Sequence, residues 1–136
     1  MEGFLNAWSS RVLSILRIVT AFLFMAHGTQ KMFGFPAPQR QEFDLVSLSG
    51  VAGTLEVFGG MLILLGLFTR PVAFLLSGQM AFAYFIAHAP KAFWPLLNGG
   101  ELAAMWSFMF LYLAFAGGGE WSLDHIRAAR RTGKSA

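Results

Sequence analysis

The 136-residue chain has no cysteine, and only 12% of its residues are charged. The first absence excludes disulfides, thiolate metal sites and cysteine nucleophiles within the chain. The second separates it from ordinary soluble domains, which are about 25% charged. Only 7 acidic residues stand against 10 lysines and arginines, for a formal net charge of +3. That excess is small and no RNA-binding or helix-turn-helix pattern accompanies it, so no nucleic-acid partner is expected. What the chain has instead is apolar material: 56% hydrophobic residues, with 15 Phe and 4 Trp. This composition predicts an integral membrane protein with length for one domain.

The apolar residues fall into runs at about 12–31, 51–69, 72–88 and 96–118. A helix needs about 20 apolar residues to cross a hydrocarbon core of about 30 Å. The first three runs come close to that. The fourth is strongest over 102–116 and needs its flanks. Thr69-Arg70-Pro71 is a tight polar connector with its proline at a helix start, so the second and third spans form an antiparallel hairpin. Pro90 and Pro95 break the chain before the fourth. The connector 33–50 is too long for a simple turn and predicts a lid or a short interfacial helix. Residues 1–10 do not read as a cleaved signal, because no small-residue cleavage site follows them. The expected architecture is all-α: an integral membrane four-helix bundle, one domain over 1–136, with a basic tail at 119–136.

Arg11, Arg70, Arg127, Arg130, Arg131 and Lys134 fall on one predicted side, and Lys31, Arg40 and Lys91 on the other. The positive-inside rule then places both termini in the cytoplasm. Trp8, Trp94 and Trp121 fall near the predicted interfaces. Arg17, in the inner third of the first span, is expected to snorkel to phospholipid phosphate. The tail 121–131, opened by a Ser122 cap, is expected to lie on anionic lipid.

Each span carries an ionisable residue toward the same end: His27 and Lys31, then Glu56, His88 and Glu101. A charge at membrane depth costs roughly 2.5–3.5 kcal/mol on insertion scales unless paired or wet, so these groups are expected to converge. Helical spacing gives stripes Arg17, Thr20, Phe24, His27, Lys31; Ser49, Gly53, Glu56, Gly60; Ser77, Ala81, Tyr84, His88; and Glu101, Met105, Phe108, Tyr112, Phe115. The small residues around Glu56 predict close helix packing, with Glu56 facing the bundle. Gln30 and Gln79 sit one residue off the stripes and are expected to serve packing.

The cluster admits three readings. One is a register-fixing ion network. A second is a quinone- or phenol-type pocket, with His27 or His88 donating to a carbonyl oxygen, Lys31 stabilising negative charge, and Glu56 or Glu101 exchanging a proton. Phe24, Tyr84, Trp106, Phe108 and Tyr112 would wall it. The third is a metal held by His27, His88, Glu56 and Glu101. The chain lacks a Glu-x-x-His pair and Lys31 would oppose a cation, so no metal is expected. A short internal repeat also relates Phe24-Met-Ala-His27-Gly-Thr-Gln-Lys31-Met-Phe33 to Phe85-Ile-Ala-His88-Ala-Pro-Lys91-Ala-Phe93, which suggests two related hairpins.

Arg17 with Ala26-His27-Gly28-x-x-Lys31-x-Phe33-Gly34, and Glu56-x-x-Gly59-Gly60 with Gly66-Leu67-x-Thr69-Arg70, resembles the DoxX family of small bacterial membrane proteins. The four-span layout and the glutamate opening the fourth span fit as well. The resemblance implies a multi-pass protein of the bacterial cytoplasmic membrane. The family name comes from a subunit of a thiosulfate:quinone oxidoreductase, and other members are linked to oxidative stress or to aromatic and quinone-like compounds. No motif here singles out the thiosulfate enzyme, and that activity is not carried over.

The expected function is a membrane subunit or accessory of a quinone-linked redox or oxidative-stress system. It would bind a quinone or related aromatic in a polar pocket of the outer half, near His27, Lys31, Glu56, His88, Glu101, Tyr84 and Tyr112. No catalytic residue is assigned and no covalent cofactor is expected. The expected partners are the lipid bilayer and other membrane subunits or further copies of the chain. The alternative is a non-enzymatic structural or assembly subunit of a larger membrane complex; a transporter ranks third.

Overall fold

The computed structural model describes residues 1–39 and 42–133. Arg40 on the predicted outer side, and Lys134 in the basic tail, lie outside them. The described chain is all helical, with no strand. The elements are α1 (Glu2–Phe33), α2 (Leu48–Leu65), α3 (Thr69–Ala83), which runs into a π turn (Tyr84–His88), α4 (Pro95–Asn98), α5 (Glu101–Ala116) and α6 (Leu123–Arg131).

α1 starts ten residues before its apolar run, because the amphipathic lead-in joins the same helix. Its 32 residues reach about 48 Å at 1.5 Å per residue. Gly34 ends it in a left-handed turn at φ 67°. Gly66 ends α2 in the same way, at φ 66°, and does so before Thr69. α1, α2 and the continuous stretch from Thr69 to His88 are each long and apolar enough to cross a membrane. α5 has 16 residues and reaches only about 24 Å by itself. Gly99 and Gly100 separate it from the single turn of α4. The predicted fourth run is therefore divided in two.

The helices pack as two antiparallel hairpins, α1 on α2 and α3 on α5, with α2 against α3 closing the bundle. Glycine sets the first contact. A Cβ at Gly28 would lie 2.8 Å from the Cβ of Glu56, and one at Gly60 would lie 2.4 Å from Cγ of Met25. In the second hairpin, Ser77 Oγ donates to the Ser107 carbonyl at 2.8 Å, and Ser107 Oγ donates to the Ser77 carbonyl at 3.0 Å. Phe24 links the hairpins, edge-on to Trp106 at 5.1 Å and to Phe110 at 4.8 Å. Around this core the bundle exposes Phe22, Phe58, Phe74, Phe82, Phe108 and Phe115. A soluble monomer rarely leaves so much aromatic surface uncovered; in a bilayer it faces acyl chains.

Arg17 does not snorkel. It is fully buried, and its guanidinium donates to the carbonyls of Gly118 at 2.8 Å, Ile63 at 2.5 Å, Trp121 at 2.7 Å, and Leu64. Ile63 and Leu64 belong to the last turn of α2, where carbonyls lack helical partners and the helix dipole favours a cation. The long side chain thus ties α1 to the end of α2 and to the segment after α5. Asp124 makes a second tie at this end. Its carboxylate accepts from the backbone N–H of Phe68 at 2.9 Å and of Thr69 at 2.8 Å, capping α3 from α6. Burial pushes the Asp124 carboxyl up, but these bonds and the nearby Arg127 charge outweigh it and hold it below its ordinary value.

The stripe expected on α5 also points the other way. Met105, Phe108, Tyr112 and Phe115 are all exposed, and the buried face is Ala103, Trp106, Phe110 and Leu113. The helix is apolar all round, so periodicity names no inner face.

Candidate ligand-binding site

Lys31 comes from the last turn of α1, and Glu56 from the third turn of α2. Gly28 and Gly53 let the two backbones approach, and a Cβ on Gly53 would already meet Lys31 Cβ at 3.0 Å. Lys31 Nζ donates to Glu56 Oε1 at 2.5 Å. Glu56 is 3% exposed. Its second oxygen, Oε2, is buried and has no partner. A buried acceptor left without a donor costs about 1–3 kcal/mol, and more when charged.

Both residues line a cavity of about 560 Å³, together with His27, Gln79, His88 and Trp106. That volume lies in the range of small-molecule sites. His27 packs edge-on against Trp106, with ring centroids 4.8 Å apart. The connector supplies Glu42, Phe43 and Asp44 to the same wall. It forms no helix among the described residues of 34–46; Asp44 instead turns the chain toward the Ser47 cap of α2 by accepting from the Ser47 hydroxyl at 2.7 Å. Of the two forms expected for this connector, the short interfacial helix is absent among its described residues, and the segment beside the cavity is irregular.

His88 is positioned by the π turn, whose i→i−5 bond runs from the Ala89 N–H to the Tyr84 carbonyl at 2.9 Å. Such turns occur often at functional sites. The His88 Nδ1 lies 3.1 Å from the carbonyl oxygen of Asn98. A carbonyl only accepts, so Nδ1 carries the proton and the neutral ring keeps Nε2 as an acceptor. Asn98, 4% exposed, is held in turn: its Nδ2 donates to the Ala92 carbonyl at 2.9 Å and to the Tyr84 hydroxyl at 3.3 Å.

The cavity therefore gathers His27, Lys31, Glu56 and His88. Tyr84 stands behind it, through Asn98. Glu101 is exposed and does not line it. Tyr112 sits at the far end of the bundle, on a second cavity of about 630 Å³ beside Arg70. The charged groups of that second cavity already have partners: Arg70 donates to the Phe115 carbonyl at 2.8 Å, and Asp124 is occupied as above. Among the described residues no three His, Asp or Glu side chains are grouped to hold a metal ion.

Gln79 and Asn98 were not among the expected site residues. Gln79 Nε2 points to the Ala52 carbonyl at 3.4 Å, and its Oε1 is buried without a partner. Its signal was available as helical spacing, since Gln79, Ala83 and Ala87 recur every four residues and all line the cavity. Nothing in the sequence distinguished Asn98.

Comparison with known proteins settles the family. The DoxX family model matches residues 12–89, more than half of the chain. The chain belongs to the DoxX family. The match contains His27, Lys31, Glu56, Gln79 and His88, and ends before Asn98 and Glu101. An uncharacterized protein of Haemophilus influenzae is 45% identical over 118 residues, covering 83% of this chain and 88% of its own length. No solved structure matches. With its apolar helices and aromatic exterior, this DoxX chain is a membrane protein.

Proposed function

We propose that this DoxX protein is a membrane subunit or accessory of a quinone-linked redox or oxidative-stress system, and that it binds a quinone or related aromatic in the cavity between Lys31 and His88. The observation that carries this reading is Glu56: a carboxylate buried in an apolar bundle, tied to Lys31 through one oxygen, with the other buried and unpaired, in the wall of a cavity of about 560 Å³. A network built only to fix helix register has no use for that space. Trp106 and Phe43 offer apolar walls, and the polar groups converge from separate helices. The chain holds no electron store of its own, so a redox role needs a partner or direct exchange between substrates.

The same reading makes the chain multi-pass in the bacterial cytoplasmic membrane, with both termini inside and the Lys31 end outward. The distribution of arginine supports this, with Arg11, Arg70, Arg127, Arg130 and Arg131 all at the opposite end. The alternative, a structural or assembly subunit, draws on the exposed α5 stripe, where Glu101 heads a row of large apolar side chains. Native mass spectrometry of gently extracted protein separates the two. A co-purifying ring compound lost on substitution of Glu56 is expected. A stoichiometric larger complex with no small ligand would favour the alternative.

A further inference from the structure

α6 sits at the opposite end of the bundle from the Lys31 cavity, and tertiary bonds fix it there. Its Asp124 carboxylate caps α3, and the Asp124 N–H donates to the Gly66 carbonyl at 2.9 Å. Arg17 holds the Trp121 carbonyl just ahead of it. Arg130 and Arg131 follow Arg127 by three and four residues, so the three share one face. With Phe68, Asp124 and Ala128 they line a groove of about 540 Å³. All three are exposed, and among the described residues none makes an ion pair or a side-chain hydrogen bond. Arg127 lies over the Phe68 ring, 5.3 Å from its centroid. The carboxylates on and beside the helix are engaged elsewhere: Glu120 with Arg11 at 3.2 Å, and Asp124 with the N–H groups of Phe68 and Thr69. Arg70 and His125 line the neighbouring cavity instead. Like charges on one helix face repel, and an anion among them relieves the repulsion.

We infer that this groove holds the phosphate headgroup of an anionic phospholipid, with Arg127, Arg130 and Arg131 as its ligands. Its place beside the bilayer decides the source of the phosphate. Phe68, Trp121, Leu123 and Ile126 are exposed around the same helix. A dissolved phosphate compound leaves these apolar groups in water. A lipid covers them with glycerol and acyl carbons while its phosphate meets the guanidinium forks. A basic tail drawn to a charged surface needs no fixed geometry, whereas here the ties through Arg17 and Asp124 hold three guanidiniums around one space. The groove is separate from the Lys31 cavity and does not depend on what fills it.

The test uses the full chain in neutral detergent micelles, with phosphatidylglycerol and phosphatidylcholine of identical tails as probes. Binding is read by lipid retention in native mass spectrometry and by thermal shift. Phosphatidylglycerol is expected to bind at least about tenfold more tightly, since each basic residue near an anionic surface contributes about fivefold. Arg127→Gln should reduce that preference severalfold, and the triple change of Arg127, Arg130 and Arg131 to Gln should abolish it. Arg11→Gln removes the same charge from the same end and should leave the preference intact. In wild type the preference should collapse in about 1 M salt, where charges are screened within about 3 Å. Equal binding of the two lipids overturns the inference, as does a preference that survives the triple change or the salt. An equal loss from Arg11→Gln and Arg127→Gln also overturns it, because total charge rather than the groove would then be read. Displacement of the lipid by millimolar glycerol 3-phosphate overturns the lipid assignment in favour of a soluble phosphate.

Discussion

Lys31 Nζ and Glu56 Oε1 lie 2.5 Å apart, and among the described residues no other ion pair joins two of the apolar helices. The pair is asymmetric: the Lys31 side chain is 34% exposed and that of Glu56 is 4% exposed. The cation therefore reaches the cavity while the carboxylate depends on it. A fully buried pair loses about 3–5 kcal/mol when one partner is removed. Here Lys31 can rehydrate through the cavity. Glu56→Gln is expected to cost less than about 1 kcal/mol, the scale of an exposed pair. It should abolish ligand retention while the protein still inserts and assembles. Thermal unfolding beside native mass spectrometry checks this, and a large loss of stability with the ligand retained would identify a register network.

Gly28→Ala addresses the same contact through the backbone. The added Cβ would fall 2.8 Å from both Glu56 Cβ and Val57 Cγ2 and 2.9 Å from the Gly53 carbonyl. Overpacking of this kind costs about 1–3 kcal/mol. The expected result is a lowered unfolding midpoint together with weakened ligand binding, since α1 must move away from α2. A wild-type midpoint would show that the helices are not in that contact.

Arg17→Met keeps length and apolar stem but leaves the carbonyls of Ile63, Leu64, Gly118 and Trp121 without this donor. The Ile63 carbonyl keeps the Gly66 N–H at 3.0 Å, but a loss on the order of 3 kcal/mol is still expected, since each buried carbonyl left unpaired costs about 1–3. Arg17→Lys should recover only part of it, because an ammonium lacks the planar fork that reaches separate acceptors. Unfolding midpoints of both variants are the measurement, and an unperturbed Arg17→Met would return the side chain to the lipid surface.

The Asp124 latch predicts a pH dependence. Its folded-state pKa lies below the ordinary value of 3.8, so its stabilising effect is complete above that value and fades as pH falls through the folded pKa. The difference in unfolding midpoint between wild type and Asp124→Asn should be constant from pH 7 to about 5 and shrink below pH 4. A difference that grows on acidification would contradict the sign.

Orientation has a direct check. A cysteine introduced at Gln39 should react with a membrane-impermeant maleimide from outside intact cells, and a cytoplasmic reporter fused at the C-terminal Ala136, outside the described residues, should be active. Labelling at Gln39 only after the membrane is broken would reverse the topology and bring the cavity to the cytoplasmic side.

The sequence by itself determined the fold class, the first three apolar spans and the partnership of Glu56, because these follow from local quantities. Run length decides whether a helix can span, and glycines at a spacing of three or four decide which face of α2 can approach a neighbour. Arg17 was misjudged from the same information. Snorkelling to lipid and capping a distant helix end both satisfy a long cation, and only the tertiary fold shows that the carbonyls of Ile63, Leu64, Gly118 and Trp121 converge on it. The face of α5 was undecidable for a related reason. A helix apolar on every side is rotated by what it packs against, and Phe24 reaching Trp106 and Phe110 turned Glu101 and Tyr112 away from the cavity. The acceptor pair of Glu56 and Gln79 likewise exists only in three dimensions, because an unmet hydrogen bond is defined by every neighbour that fails to supply it.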